Sequence, residues 1–207
     1  MKTGVSYLVL APYHYDEATD KVTYGEGAIT ARMAEYKVAV EVEDDNKCYL
    51  DNQVAETAPG RMKSAELTVS TGEFDSKMSK MLLSAKEITE TVGSKEIKGV
   101  AYDDDMISSP VGAGLIEEHV FHGEYFYRAF LFPKTAFSIP AGAASTRGES
   151  IDWQTQELTG TIMRSDQKET DETPPLHHPW QKFWDCESES QALSLLKQVL
   201  NVTEASS

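Results

Sequence analysis

Basic residues are scarce in this chain of 207 residues, where 19 lysines and arginines face 34 aspartates and glutamates and give a formal net charge of −15. A surface with this charge repels phosphate, which excludes ordinary nucleic-acid binding by phosphate neutralisation and a polybasic membrane anchor. Long apolar runs are also missing, because the longest, near Tyr7 to Tyr13, falls far short of the roughly 20 residues that span a bilayer. We therefore expect no membrane partner, and the first residues predict no signal peptide.

Cysteine is nearly absent, with Cys48 and Cys186 far apart in the chain. No Cys-x-x-Cys pair exists, which excludes a structural zinc site of the usual spacing. A disulfide between the two stays open, but two reduced thiols are the favoured interpretation on compartment grounds.

Motifs that carry chemistry are lacking as well. The sequence contains no Gly-x-Gly-x-x-Gly, no P-loop and no Gly-x-Ser-x-Gly elbow, so it predicts neither a nucleotide site nor a serine hydrolase. Asp103-Asp104-Asp105 could hold a divalent cation, but without an EF-hand pattern a solvated turn is favoured. His119 and His122 are expected at the surface, and His177-His178 in a proline-flanked tail that docks against the body. We therefore expect no catalytic residue, no metal, no cofactor and no enzymatic activity.

The chain is rich in segments with the residue pattern of β-strands. Tyr36, Val38, Val40 and Val42 alternate with charged residues from position 35 to 43, which predicts a half-buried strand. Segments 112–121 and 124–132 flank His122-Gly123 and predict a hairpin whose second, aromatic strand is covered on both faces. A polar excursion from 44 to 60 separates two strands. The pattern indicates a mainly β chain.

The sequence predicts two helices, each of which begins at a recognisable N-cap residue. Asp75 or Ser76 can cap a helix that runs to about Ala85, and Ser188 with Gln191 has the capping-box form before a C-terminal helix. The predicted organisation is a β domain over residues 1–165, a linker or extended arm over 166–187, and the C-terminal helix over 188–203. We expect that helix either to pack on its own chain or to cover a neighbouring subunit or an outer surface.

The order of these segments resembles the major tail protein of long, non-contractile-tailed bacteriophages and prophages, over about residues 4 to 165. The most specific block is Thr146 to Thr155, followed by Leu158-Thr159-Gly160-Thr161, which is similar to a run that the family carries. The other matching segments are Val5 to Pro12, Val22 to Gly25, Asp44 to Asn52, Glu66 to Val69, Met81 to Leu83, Tyr125 to Phe132 and Lys134 to Pro140.

The resemblance implies a two-sheet β-sandwich or barrel-like tail-tube fold with one flanking helix and, in this chain, a C-terminal helical extension. It implies stacked hexameric rings that form the tail tube, the conduit for DNA delivery, with no catalysis and no cofactor. It places the protein in the virion tail, and in the host cytoplasm before assembly. The implied partners are other copies of the chain, the tape measure protein, the tail terminator and the distal tail protein. DNA would pass through the lumen without specific binding, and the acidic balance of the chain suits that role.

Two sets of residues are candidates for these contacts. The polar excursion 44–60 is the expected ring-stacking loop, with Asp44, Asp45, Asn46, Tyr49, Leu50, Asp51 and Asn52. Long strands with one polar face supply the expected lumen-facing side chains, which are Glu35, Lys37, Glu41, Glu149 and Asp152.

Other functions stay open. A carbohydrate-binding β-sandwich would use Tyr125, Tyr127 or Trp153 as stacking platforms. A tail terminator or distal tail protein of the same fold would make single rings. A hydrolase with paired carboxylates would be possible among 34 acids, although no residue is singled out.

Overall fold

The computed structural model describes residues 1–72, 74–140, 155–170 and 175–203 and has a mainly β, sandwich-like fold. The strands are β1 (Lys2–Asp16), β2 (Lys21–Tyr24), β3 (Ala28–Ala31), β4 (Met33–Val42), β5 (Asn46–Leu50), β6 (Gln53–Ala58), β7 (Met62–Thr71), β8 (Lys86–Val92), β9 (Lys95–Ala101), β10 (Val111–Phe121), β11 (Glu124–Phe137), β12 (Gln156–Met163) and β13 (Lys182–Cys186). The helices are α1 (Ser76–Leu83) and α2 (Glu189–Val199). The predicted fold class is confirmed.

One nine-stranded antiparallel sheet forms the body. Its main path runs β2-β1-β10-β11-β12-β7-β4, while β3 pairs with β1 and β13 pairs with β11. The hairpins β5–β6 and β8–β9 form two separate two-stranded sheets. The predicted hairpin of β10 and β11 is present, with positive φ at both His122 and Gly123, as a tight turn between twisted strands requires.

The sheet folds over a first core. Leu8 and Leu10 of β1 share this core with Leu67 and Val69 of β7, although three strands lie between β1 and β7 in the sheet. The two ends of the sheet must therefore face each other across the core, which gives the sandwich-like shape. Helix α1 closes this core with three buried side chains, Met78, Leu82 and Leu83.

A second core lies on the opposite face of the sheet, under α2. Ala192, Leu196 and Leu200 are fully buried against β1, β10, β11 and β13. The helix sits close because Gly114 has no side chain, and a Cβ there would lie 3.0 Å from a methyl carbon of Leu196. The C-terminal helix thus packs its apolar face on its own chain, and both faces of β11 are covered.

The caps of both helices are as predicted. Asp75 accepts a hydrogen bond from the Met78 N–H at 2.7 Å, and Ser188 accepts one from the Gln191 N–H at 3.2 Å. The Gln191 side chain in turn accepts from the Glu187 N–H at 2.9 Å, which satisfies a second free donor at the helix start.

Two features differ from the sequence pattern. The stretch 166–187, expected as a linker or arm, ends in β13, which pairs with β11 from Tyr127 to Leu131 as part of the main sheet. Val40 and Val42, expected on the buried face of their strand, are 44% and 59% exposed. The physical reason is that β4 extends beyond the core, so that only its first half, with Tyr36 and Val38, packs on it.

Candidate assembly surface

Strand β4 forms an edge of the main sheet. It pairs with β7 along its whole length from Met33 to Val42, and no strand among the described residues pairs with its other side. That side borders a groove of about 540 Å³, whose opposite wall is the start of β1. An edge strand of ten residues presents a row of unpaired N–H and C=O groups, which is a template for pairing with another chain.

A buried carboxylate fixes β4 at this groove. The side chain of Glu117, on β10, is 1% exposed and accepts a hydrogen bond from the Tyr36 hydroxyl on β4. Lys2 of β1 forms an ion pair with the same carboxylate, with its Nζ 2.5 Å from Oε1. One carboxylate thus joins three strands, of which β4 is the farthest along the sheet.

His119 completes the cluster from the same strand. Its Nε2 lies 2.8 Å from Oε2 of Glu117, and its ring stacks on Phe126 with centroids 4.8 Å apart. The residue is 7% exposed, so the expectation of a surface position was wrong for His119, whereas His122 lies in the exposed turn. His119 is buried because it follows Ala113, Leu115 and Glu117 in phase on the inward face of β10.

The electrostatics of this cluster favour a charged Glu117. Burial by itself would raise the pKa of Glu117, but hydrogen bonds from Lys2, Tyr36 and His119 outweigh burial and hold the pKa below its ordinary value. Burial and the contact with Glu117 raise the pKa of Tyr36, so its hydroxyl keeps the proton that it donates. These contacts hold β4 in position, and this structural role is sufficient to explain the buried carboxylate.

Beyond β4 the chain continues into the hairpin β5–β6. Five of the seven predicted ring-stacking residues lie in this hairpin, and the other two, Asp44 and Asp45, come directly before it. All seven are exposed, and both strands of the hairpin are exposed throughout. Its apolar side chains face solvent, since Tyr49, Leu50 and Val54 are 62%, 64% and 50% exposed. The tip is a tight turn with positive φ at Asp51 and Asn52.

The base of the hairpin is tightly built. The Glu43 N–H donates to the Arg61 carbonyl at 2.8 Å, and the Gly60 N–H donates to the Asp45 carboxylate at 3.1 Å. A Cβ on Gly60 would lie 1.6 Å from the Glu43 carbonyl oxygen, so this close approach requires glycine. The predicted loop is therefore an anchored hairpin that continues the β4–β7 pair.

The predicted lumen-facing residues fall into two groups. Glu35, Lys37 and Glu41 are exposed on β4, and Glu41 accepts a hydrogen bond from the Ser64 hydroxyl at 3.0 Å. Glu149 and Asp152 lie outside the described residues. The structure thus brings the first three to one strand, next to the hairpin.

The remaining candidate sites are the aspartate run 103–105 and the predicted sugar-stacking aromatics. Asp103, Asp104 and Asp105 are exposed, and Lys86 forms ion pairs with two of them, which fits the predicted solvated turn. Of the predicted sugar platforms, Tyr125 is 61% exposed, Tyr127 is half-buried against the second core, and Trp153 lies outside the described residues.

Sequence reasoning missed the Glu117 cluster, although a signal was present. Glu117 stands in phase with Ala113 and Leu115 on β10, so an acid occupies a position that the strand pattern assigns to the core. A buried acid needs partners, but the pattern does not say that Lys2 and Tyr36 provide them.

In comparisons with known proteins, no family model and no curated protein matches the chain. Within the described part of the chain, neither helix is long and apolar enough to cross a bilayer.

Proposed function

We propose that this chain is a structural subunit of a bacteriophage tail tube, which polymerises as stacked hexameric rings and forms the conduit for DNA delivery. The observation that carries the proposal is the long edge strand β4, which pairs with no described strand on its outer side and runs on into an exposed hairpin. The sequence resemblance to tail-tube subunits supports it independently.

The edge of β4 suits lateral contacts within a ring. Proteins that stay monomeric usually shield a long edge strand. The first half of β4 faces the start of β1 across the groove, but no described strand pairs with the outer side of β4, and its second half exposes Val40 and Val42. Pairing with a neighbour would satisfy the free backbone groups and cover these valines. A head-to-tail contact of this kind closes into a ring when the rotation between subunits allows it.

The hairpin β5–β6 suits contacts between rings. Its exposed Tyr49, Leu50 and Val54 gain most from being covered, because burying apolar surface is the main favourable term in association. The acids Asp44, Asp45 and Asp51 and the amides of Asn46 and Asn52 would form the polar rim of this contact.

The polar residues of β4 suit the lumen. Glu35 and Glu41 are exposed on this strand, and the chain as a whole carries a net charge of −15. A negative wall releases no counterions when DNA approaches, so DNA would slide past without binding. In this proposal the tape measure protein, the tail terminator and the distal tail protein are the partners that set the length and the ends of the tube.

The test is a deletion of Asn46–Ala58, replaced by a short glycine-serine linker. The matched control removes an equal number of residues, 87–99, from the other exposed hairpin, β8–β9. Negative-stain electron microscopy and light scattering after size exclusion measure assembly, and far-UV circular dichroism checks folding.

We expect hollow tubes of uniform width from the unmodified chain and from the control, and folded protein without tubes from the Asn46–Ala58 deletion. Normal tubes from this deletion would refute the role of the hairpin, and so would an equal loss in the control. An unmodified chain that stays monomeric at high concentration, with or without a complex that initiates tails, would refute the proposed function.

A further inference from the structure

A basic groove lies at the base of the β5–β6 hairpin, on the side of the sheet where β7 begins and β12 ends. Its volume is about 890 Å³. Four basic side chains line it, two from strands β7 and β11 and two from the segments just before β7 and just after β12: Lys63, Lys134, Arg61 and Arg164. Two histidines, His177 and His178, also line it.

Most of this positive charge has no ion-pair partner in the part of the chain that the structure describes. Lys134 forms an ion pair with Asp166, with its Nζ 2.6 Å from Oδ2, and Tyr13 donates to the same carboxylate at 3.0 Å. The charged groups of Arg61, Lys63 and Arg164 form no ion pair with any carboxylate among the described residues. Glu43 is the other acid at the groove, which leaves the groove net positive in a strongly acidic chain.

The imbalance matters for any assembly of this chain. Two copies with a net charge of −15 each repel one another over most of their surfaces. Association becomes favourable where a positive region of one copy meets acids of the next, because opposite charges then replace like charges at close range. The groove is such a region, and it adjoins the hairpin on which the proposed function already depends.

We infer that the basic groove receives an acidic segment of a second copy of this chain and so provides the electrostatic contact between subunits. This inference rests on the proposed function and names the chemistry of its self-contact. Arg61 and Lys63 offer donors from the start of β7, and Arg164 offers a bidentate guanidinium from the end of the neighbouring strand β12. A carboxylate-bearing segment beside them would pair the charges that the described residues leave without an ion pair.

The first experiment reverses two charges with the double variant Arg61→Glu/Lys63→Glu. The neutral variant Arg61→Gln/Lys63→Gln separates loss of attraction from added repulsion. The matched control, Lys21→Glu/Lys77→Glu, makes the same change in net charge at two exposed lysines on β2 and α1. Light scattering gives the protein concentration at half assembly, at about 0.05 M and about 0.5 M salt.

We expect the reversal to raise that concentration about tenfold or more at low salt, the neutral variant to raise it less, and the control to leave it close to that of the unmodified chain. The difference in this concentration between the charge-reversal variant and the unmodified chain should become smaller at high salt, because salt screens exposed charges. The inference would be overturned if the charge-reversal variant assembled at the same concentration as the control variant. It would also be overturned if the weaker assembly of the charge-reversal variant did not depend on salt.

The second experiment needs no variant. A zero-length carbodiimide reagent joins lysines to carboxylates in contact, and a mixture of unlabelled and isotope-labelled chains identifies links between copies. We expect Lys63 in mixed-label links under assembling conditions. Mixed-label links that omit Lys63 and involve Lys21 and Lys77 equally would overturn the inference.

The two proposals fail in different ways. If tubes form and depend on the β5–β6 hairpin while the groove variants assemble normally, the inference fails and the proposed function stands. If the unmodified chain never associates, both fail.

Discussion

Replacing Tyr36 by phenylalanine removes a single hydroxyl from the cluster that holds β4 on the rest of the sheet. Glu117 would keep its contacts with Lys2 and His119 but would lose the donor from β4. The change leaves the ring of Tyr36 in place, so it tests the hydrogen bond and not the packing of the strand.

The expected loss follows from the burial of the carboxylate. A hydrogen bond to a charged group contributes roughly 1.5–3 kcal/mol, and the Glu117 side chain is 1% exposed, so water cannot replace the lost donor. Two of its three side-chain partners remain, which keeps the loss below the roughly 3–5 kcal/mol of a fully broken buried pair. We expect the free energy of unfolding to fall by about 2 kcal/mol at pH 7.

The loss should depend on pH in a defined direction. Burial would raise the pKa of Glu117, but its hydrogen bonds hold the pKa below its ordinary value, so the charged cluster stabilises the fold above the pKa of the unfolded chain, about 4.3. This stabilisation is lost as the pH falls through the lowered pKa of the folded state. The difference between the unmodified chain and Tyr36→Phe should therefore be largest at neutral pH and narrow below about pH 4.

Urea unfolding followed by tryptophan fluorescence at pH 7, 5 and 3.5 measures the effect. The matched control is Tyr15→Phe, which removes a hydroxyl that donates to the exposed Asp20 carboxylate at 2.8 Å. We expect the control to change stability much less, because water replaces the lost bond. Equal losses in the two variants, or a loss for Tyr36→Phe that does not narrow in acid, would refute the role assigned to Glu117.

Two further predictions concern the second core and the thiols. Leu196→Ala should lower the free energy of unfolding by about 2–5 kcal/mol, because Leu196 is fully buried between α2 and the sheet. The control Gln198→Ala, on the exposed face of α2, should have little effect. Urea unfolding measures both, and similar values for the two variants would contradict the packing of α2. Cys48 is exposed and Cys186 is buried, and burial raises the pKa of the Cys186 thiol, so a thiol reagent should modify one cysteine quickly and the second only on unfolding; two equal rates would contradict this.

Much of the local structure could be predicted because it depends on neighbours in the chain. The caps of α1 and α2 need only a side chain and an N–H three residues on, as in Ser188 with Gln191. The hairpin of β10 and β11 needs two apolar runs and the tight turn at His122-Gly123. The position of the polar excursion was also visible, although its hairpin form was not, because exposed strands lack the alternation that identifies a half-buried one.

The assembly surface could be predicted only in part. The seven residues of the expected ring-stacking loop are exposed together on the β5–β6 hairpin and directly before it, and Glu35, Lys37 and Glu41 share one strand. Whether they contact other subunits stays a prediction. The exposure of Val40 could not be read from its pattern, since alternation marks a face of a strand but not how far the core extends beneath it.

The mainly β character, the helix caps, the central hairpin and the strongly acidic charge could be read from the sequence, because they follow from composition, from period and from contacts a few residues apart. Only the three-dimensional structure shows that β4 is an edge strand among the described residues and that β13 joins the sheet beside β11. The same is true of the contacts of Glu117 with Lys2, Tyr36 and His119, and of the groove that basic residues from distant segments form. These features depend on which strands pair over long separations. The free energy of such pairing depends on packing throughout the sheet, so the local sequence pattern of one strand does not specify its neighbours.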